Sequence, residues 1–176
     1  MRSNSLQNGK NQPKGQENWL SAVIGKMPPN AVDVEGSILG IILLSGSYSN
    51  EKFEDAANIL IGDHVFYKDA HQKVWAAMKE LNVSGGGVDL VTVNNFLRSN
   101  GQLEEIGGAF ELTKLTMNTG GDIRFYDYCK VVQEKYLARE LMSLCWEISA
   151  TAQSVDDIFS TLADLEERLF ELSVGK

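Results

Sequence analysis

Val155, Ile158, Leu162, Leu165, Leu169 and Leu172 recur at steps of three, four, three, four and three residues. That is the spacing of an a/d seam, the apolar stripe by which one helix lies along another. Upstream, the stretch from Asp122 to about Gln153 carries its own series: Phe125, Cys129, Val132, Tyr136, Leu137, Leu141, Leu144 and Ile148. Two seams separated by a turn near residues 152–154 predict an antiparallel hairpin over residues 122–173. Ser154, with Asp157 three residues on, reads as the capping box that opens its second helix. A hairpin cannot bury all its faces on itself, so it must dock on the rest of the chain, on another copy, or on both. Val155, Ile158, Leu162, Leu165 and Leu169 are the expected oligomer interface. Arg139, Glu140, Gln153, Asp156 and Asp157 are the hairpin positions expected to be exposed and open to a docking partner.

A chain of 176 residues can bury one substantial core with such a hairpin appended. The expected fold is all-α, a compact multi-helix head over residues 28–121 followed by the long C-terminal antiparallel hairpin. Asp33 is placed to cap a nearly all-apolar, central helix through Ile38, Leu39, Ile41, Ile42 and Leu43. Asn50 should cap a second helix, which Gly62 ends, and Asp69 should open a third carrying Val74, Trp75, Met78 and Leu81 on one face. Residues 82–87 form a glycine-rich turn. Val88 to Val93 has the β-branched content of a strand, but no partner strand is evident, so Asp89 or Thr92 is read as capping a fourth helix. A fifth, from about Gly108 to Leu115, completes the head.

Charge is distributed unevenly. Residues 1–27 hold Arg2, Lys10, Lys14 and Lys26 against Glu17, whereas the remainder holds 12 basic and 23 acidic residues. An acidic body repels phosphate backbones, so sequence-independent DNA binding by the folded part is not expected. The tail is rich in Asn, Gln, Gly, Ser and Lys and cannot bury enough apolar surface to order itself; its one apolar patch is Trp19, Leu20, Ala22, Val23 and Ile24. Cys129 and Cys145, sixteen positions apart on one helix, lie about 24 Å apart and cannot bridge. They read as reduced core cysteines. No secretory signal and no apolar run of about 20 residues is present, so a cytoplasmic protein is expected.

Catalytic signatures are missing. None of the Gly-Lys pairs, at Gly9, Gly25 and Gly175, sits in a phosphate-loop context, and Gly85 to Gly87 is followed by no lysine or hydroxyl in the required register. His64 and His71 stand near Asp63 and Asp69, yet their spacing is not the i, i+4 of a two-histidine metal helix, and no third soft ligand is close. His71 is read as satisfying backbone or capping groups beside Asp69. Glu104 with Glu105 and Glu166 with Glu167 are adjacent and diverge on a helix, so they are solvated charge. No catalytic, cofactor or metal residue is expected in this segment.

Several short motifs stand in one order. Pro28-Pro29-Asn30, Glu35 and Ser37-Ile38-Leu39-Gly40 are followed by Phe66-Tyr67, Ala70-His71 and Val88-Asp89-Leu90-Val91-Thr92-Val93. Gly101-Gln102-Leu103-Glu104-Glu105-Ile106-Gly107-Gly108 and Asn118-Thr119 complete the series. Together they resemble the N-terminal domain of DnaB-type bacterial replicative helicases, from about Pro28 to the end of the hairpin. The chain departs from that pattern at Gly36, where the family usually has a long polar residue, and in the long stretch before Pro28.

The resemblance implies a helical head and hairpin in which hairpins pair subunits and three pairs make a collar on a six-membered ring. It also implies docking of the C-terminal domain of primase, with a helicase loader as a further partner, and places ATP, Mg and strand separation in a RecA-like domain that follows this segment. Two readings of other classes stand beside it. One is a stand-alone helical regulator or loader-like protein that binds a replication helicase; the other is an enzyme built on His64, His71 and nearby acids.

Overall fold

The computed structural model describes residues 27–62, 64–117, 119, 121–152 and 158–174. Among them are seven α-helices, one 3-10 turn and no strand. The helices are α1 (Val32–Ser45), α2 (Glu51–Ile59), α3 (Asp69–Val83), α4 (Leu90–Ser99), α5 (Gly108–Met117), α6 (Phe125–Thr151) and α7 (Ile158–Val174), with the 3-10 turn Glu104–Ile106 before α5. The all-α class and the head-plus-hairpin arrangement are as expected.

Helix α1 runs through the middle of the head. Ile38, Leu39, Ile41, Ile42 and Leu43 are all buried, which is why this helix is apolar on nearly every side. It packs against α5 and α6 and touches α2 and α3. Its crossing with α5 is so close that a Cβ on Gly40 would overlap the carbonyl oxygen of Leu115. Gly40 is therefore fixed by backbone approach. Below this layer, Trp75 stacks at tilted angles on Phe53 and Phe66, with ring centroids 5.0 and 5.5 Å apart.

Local chemistry decides the helix starts, in three places differently from expectation. Asp89 behaves as anticipated: its Oδ1 accepts from the N–H groups of Val91 and Thr92, and Thr92 Oγ1 accepts from the Asp89 N–H at 3.0 Å. This capping box makes Val88 to Val93 a helix start. Asp33 does not cap α1, because the preceding position is Ala31 and no side chain serves there. Asn50 occupies the cap position of α2 but reaches across the head instead. Its amide donates to Asn82 Oδ1 and the Gly86 carbonyl and accepts from the Val88 N–H, which ties down the glycine-rich turn. Asp69 lies inside α3 and pairs with Lys73 at 2.9 Å, while Lys73 also reaches Glu105 at 2.8 Å.

The head does not close at residue 121. Phe125, Cys129 and Val132, on the first turns of α6, belong to the same buried cluster as α1, α2 and α3. The long helix thus serves the head first and the hairpin afterwards. Burial, with the Asp55 carboxylate nearby, pushes the Cys129 thiol up to about 12, which makes it an inert core group. Cys145 corrects the expectation for its pair, since it lies exposed on the far half of α6. Ser154 and Asp157 fall outside the described residues.

Gly36, one turn before Gly40, has no comparable steric reason to be glycine. A Cβ there would meet Leu115 Cδ2 at 3.5 Å and His71 Cε1 at 3.9 Å, ordinary contact distances. Gly40→Ala is expected to cost about 1–3 kcal/mol through overpacking. Gly36→Ala should stabilise the fold by about 0.5–1 kcal/mol, the helical penalty of glycine. Urea unfolding midpoints of the two variants should therefore move in opposite directions.

Candidate assembly interface and its mount

No residue of α7 is buried by its own chain. Ile158, Leu162 and Leu169 are 44%, 48% and 40% exposed. Leu165 and Leu172 are half-buried against α6, and Val155 lies outside the described residues. On the far half of α6 only Leu144 is buried, while Leu141, Met142 and Trp146 are exposed. Covering a half-exposed Leu or Ile is worth about 1 kcal/mol, so this face holds several kcal/mol of unrealised burial. The two helices are held in register by Arg168, whose two guanidinium nitrogens donate to both Glu147 oxygens at 2.9 and 2.8 Å. That bidentate contact holds the Glu147 carboxyl below its usual range. Grooves of about 270 and 220 Å³ flank Arg168, the first walled by Leu144, Ile148 and Leu165, the second by Tyr136, Glu140 and Leu172.

The hairpin is mounted on the head through one face of α6. Gln133 brackets Ile61, accepting from its N–H and donating to its carbonyl. At Gly62, φ is +128° and any Cβ would enter the ring of Tyr136, so the loop after α2 can lie flat on α6 only with glycine there. One turn further on, the Arg139 guanidinium donates to the carbonyls of Pro29, His64 and Val65. It also sits 5.7 and 5.8 Å from the rings of Tyr67 and Tyr136.

This corrects the reading of Arg139 as an exposed docking position: it is half-buried and committed to its own chain. Glu140 is likewise half-buried, beside Tyr136 at the second groove. Gln153, Asp156 and Asp157 fall outside the described residues.

His71 is a core histidine, but its partner is distant in sequence. Its Nδ1 lies 2.9 Å from Glu35 Oε2, and the same carboxylate accepts from the N–H groups of Tyr67 and Lys68 just before α3. Glu35 and His71 are 1% and 3% exposed. The role expected beside Asp69 is thus taken by a residue on α1. Sequence reasoning used Glu35 only as a motif position and missed its pairing with His71, although the signal was present: it stands in phase with Ile38, Leu39 and Ile42, a carboxylate on the buried stripe. His64 is exposed and bonds Gln72 at 3.2 Å, and among the described residues no cluster of three or more metal-ligating side chains occurs. No helix among the described residues is long and apolar enough to cross a membrane.

Residues 27–134 match the family model of the DnaB-like helicase N-terminal domain. The chain belongs to this family. It is 32% identical over 149 residues to the replicative DNA helicase DnaB of Haemophilus influenzae, covering 84% of this chain and 31% of the helicase. It is 32% identical over 154 residues to the replicative DNA helicase DnaC of Bacillus subtilis, covering 86% of this chain and 32% of that protein. The DnaB-like chain therefore spans about a third of the length of these relatives. In fold it matches the crystal structure of the N-terminal domain of DnaB helicase from Mycobacterium tuberculosis, with a TM-score of 0.73 and 26% identity over 83% of this chain and 99% of that one. A DnaB-like replicative helicase whose structure was solved with attention to its interactions with primase shares the fold, with a TM-score of 0.61 and 20% identity over 81% of this chain and 31% of that one.

Arg139 reads three carbonyls with a planar fork, a geometry that a lysine cannot reproduce. Arg139→Ala should cost about 1–3 kcal/mol, since the part-buried carbonyls of Pro29 and Val65 lose a charged donor. Arg139→Lys should recover less than half of that. Chemical denaturation of both variants beside the parent measures the difference.

Proposed function

We propose that this DnaB-like domain acts without catalysis, as the N-terminal assembly and docking domain of a replicative DNA helicase. Its hairpins pair two subunits through the exposed seam of α7 and the far half of α6, and three such pairs build a collar on a six-membered ring. The collar presents a surface for the C-terminal domain of primase, and a helicase loader is a further partner. ATP hydrolysis, Mg binding and strand separation belong to a RecA-like domain beyond this segment. The acidic body takes no direct part in holding DNA.

One observation carries the reading: α7 has an a/d seam, yet its own chain buries none of its residues. A stripe of this kind left in water is a standing invitation to a second helix. Family membership makes another hairpin of the same kind the natural occupant. The primase part of the proposal draws on the description of the solved relative and on the resemblance in the ordered motifs.

The test uses charge. A carboxylate is tolerated on a solvated face but is costly in a dry interface. Single Glu substitutions at Ile158, Leu162, Leu165 and Leu169 are followed by circular dichroism for helicity and by sedimentation for mass. Ile158→Glu, Leu162→Glu and Leu169→Glu should give folded protein of lower mass than the parent, and Leu165→Glu should also loosen the hairpin. If every folded variant sediments like the parent, the seam does not hold copies together and assembly resides elsewhere.

A further inference from the structure

The chain enters the domain against α6. Arg139 donates to the Pro29 carbonyl at 2.9 Å, so the backbone near the start of the described residues is fixed beside one face of that helix. Arg139, Met142 and Trp146 stand at i, i+3 and i+7 and therefore line that face in a row. At 1.5 Å per residue, Trp146 lies about 10 Å beyond Arg139 along the axis.

Both apolar members of this row are exposed, Trp146 to 58%. They do not belong to the contact with α7. Leu144 and Ile148, which wall the groove between α6 and α7, fall on the opposite side of α6 by the same periodicity. The far half of α6 is thus apolar on two sides, the pattern of a helix covered on both. Helix α7 covers one of them. The described residues leave the other, with a tryptophan and a methionine, in water.

The sequence supplies an occupant of the right chemistry at the right distance. Trp19, Leu20, Ala22, Val23 and Ile24 are the one apolar patch before Pro28, and they lie outside the described residues. Ile24 is five residues from Pro29 and Trp19 is ten, so the chain can reach about 17 and 33 Å from the Arg139 contact. Met142 and Trp146 fall within that reach. A segment joined to the face it covers also meets it at a high effective concentration, which a separate chain lacks. Charge favours the approach, since residues 1–27 are net basic and the rest of the chain is net acidic.

We propose that residues 19–24 dock on the Met142 and Trp146 face of α6 in their own chain. The contact extends the grip that Gln133, Tyr136 and Arg139 begin, and carries the mount of the hairpin about two turns further along α6. It leaves Leu141 and the α7 seam to the pairing of hairpins, so the two contacts use different faces and neither requires the other.

The test uses Trp146 as reporter in the full chain. Trp19→Phe keeps the segment apolar and removes its fluorescence, and Trp75 is buried, so emission quenched by acrylamide comes from Trp146. In this background Trp146 should emit at short wavelength and resist quenching at both low and high protein concentration. Adding Leu20→Ser, Val23→Ser and Ile24→Ser removes apolar area without changing charge. Emission should then move to longer wavelength and quenching should rise, with helicity by circular dichroism unchanged. Free quenching of Trp146 in the Trp19→Phe chain, or equal quenching with and without the three serines, would overturn the proposal. So would shielding that develops only as protein concentration rises, which would put another copy on this face.

Discussion

Phe125, Cys129 and Val132 anchor α6 in the core of the head, and the direction in which that helix leaves the core determines where the hairpin stands. An α-helix is stiff over its 27 residues, about 40 Å, so an anchor at one end aims the other. The aim is sharpened by Gln133, Tyr136 and Arg139, which grip the loop after α2 along the next two turns. Arg139 also holds the chain at Pro29, so the entry to the domain, the loop after α2 and the root of the hairpin converge on one guanidinium. Beyond it, Leu144 is the sole buried residue on the rest of α6 among those described.

The two halves of the domain differ in how fully they satisfy the same physical demand. In the head, apolar side chains from every helix meet around α1, and even the buried carboxylate of Glu35 has three donors, as burial requires. In the hairpin, the apolar stripe is present but half of it faces water. Burial that one chain leaves incomplete is what a neighbouring chain can supply, as the proposed pairing of hairpins would. The bidentate pair of Arg168 with Glu147 sets the register of α6 and α7, and an exposed pair adds little beyond that.

Much of this was legible in the sequence because period and capping are local. The 3-4 spacing from Val155 to Leu172 gave α7, and Asp89 with Thr92 resolved a β-branched run into a helix start. The apolar run from Ile38 to Leu43 identified the central helix. What escaped were contacts between residues far apart in the chain. Asn50 and Asp33 have the chemistry of caps, yet Asn50 is engaged by the glycine-rich turn thirty-odd residues away, and a helix can start at Ala31 without Asp33. Arg139 looked like a surface charge because spacing cannot report that a loop carries three carbonyls up to it. Glu35 stood in the sequence as one position of the ordered motifs and as a carboxylate in phase with the buried stripe of α1, and its meaning depends on His71 arriving from another helix.

In the proposed assembly the head completes its own core, whereas the hairpin is completed by another copy. Hydrogen exchange measured across a wide range of protein concentration tests it most directly, because only protection supplied by a partner depends on mass action. Amides of α7 and of α6 beyond Leu141 should become more protected as concentration rises, while those of α1 and α3 hold constant. Protection in α7 that is independent of concentration and equal to that of α1 would contradict the claim.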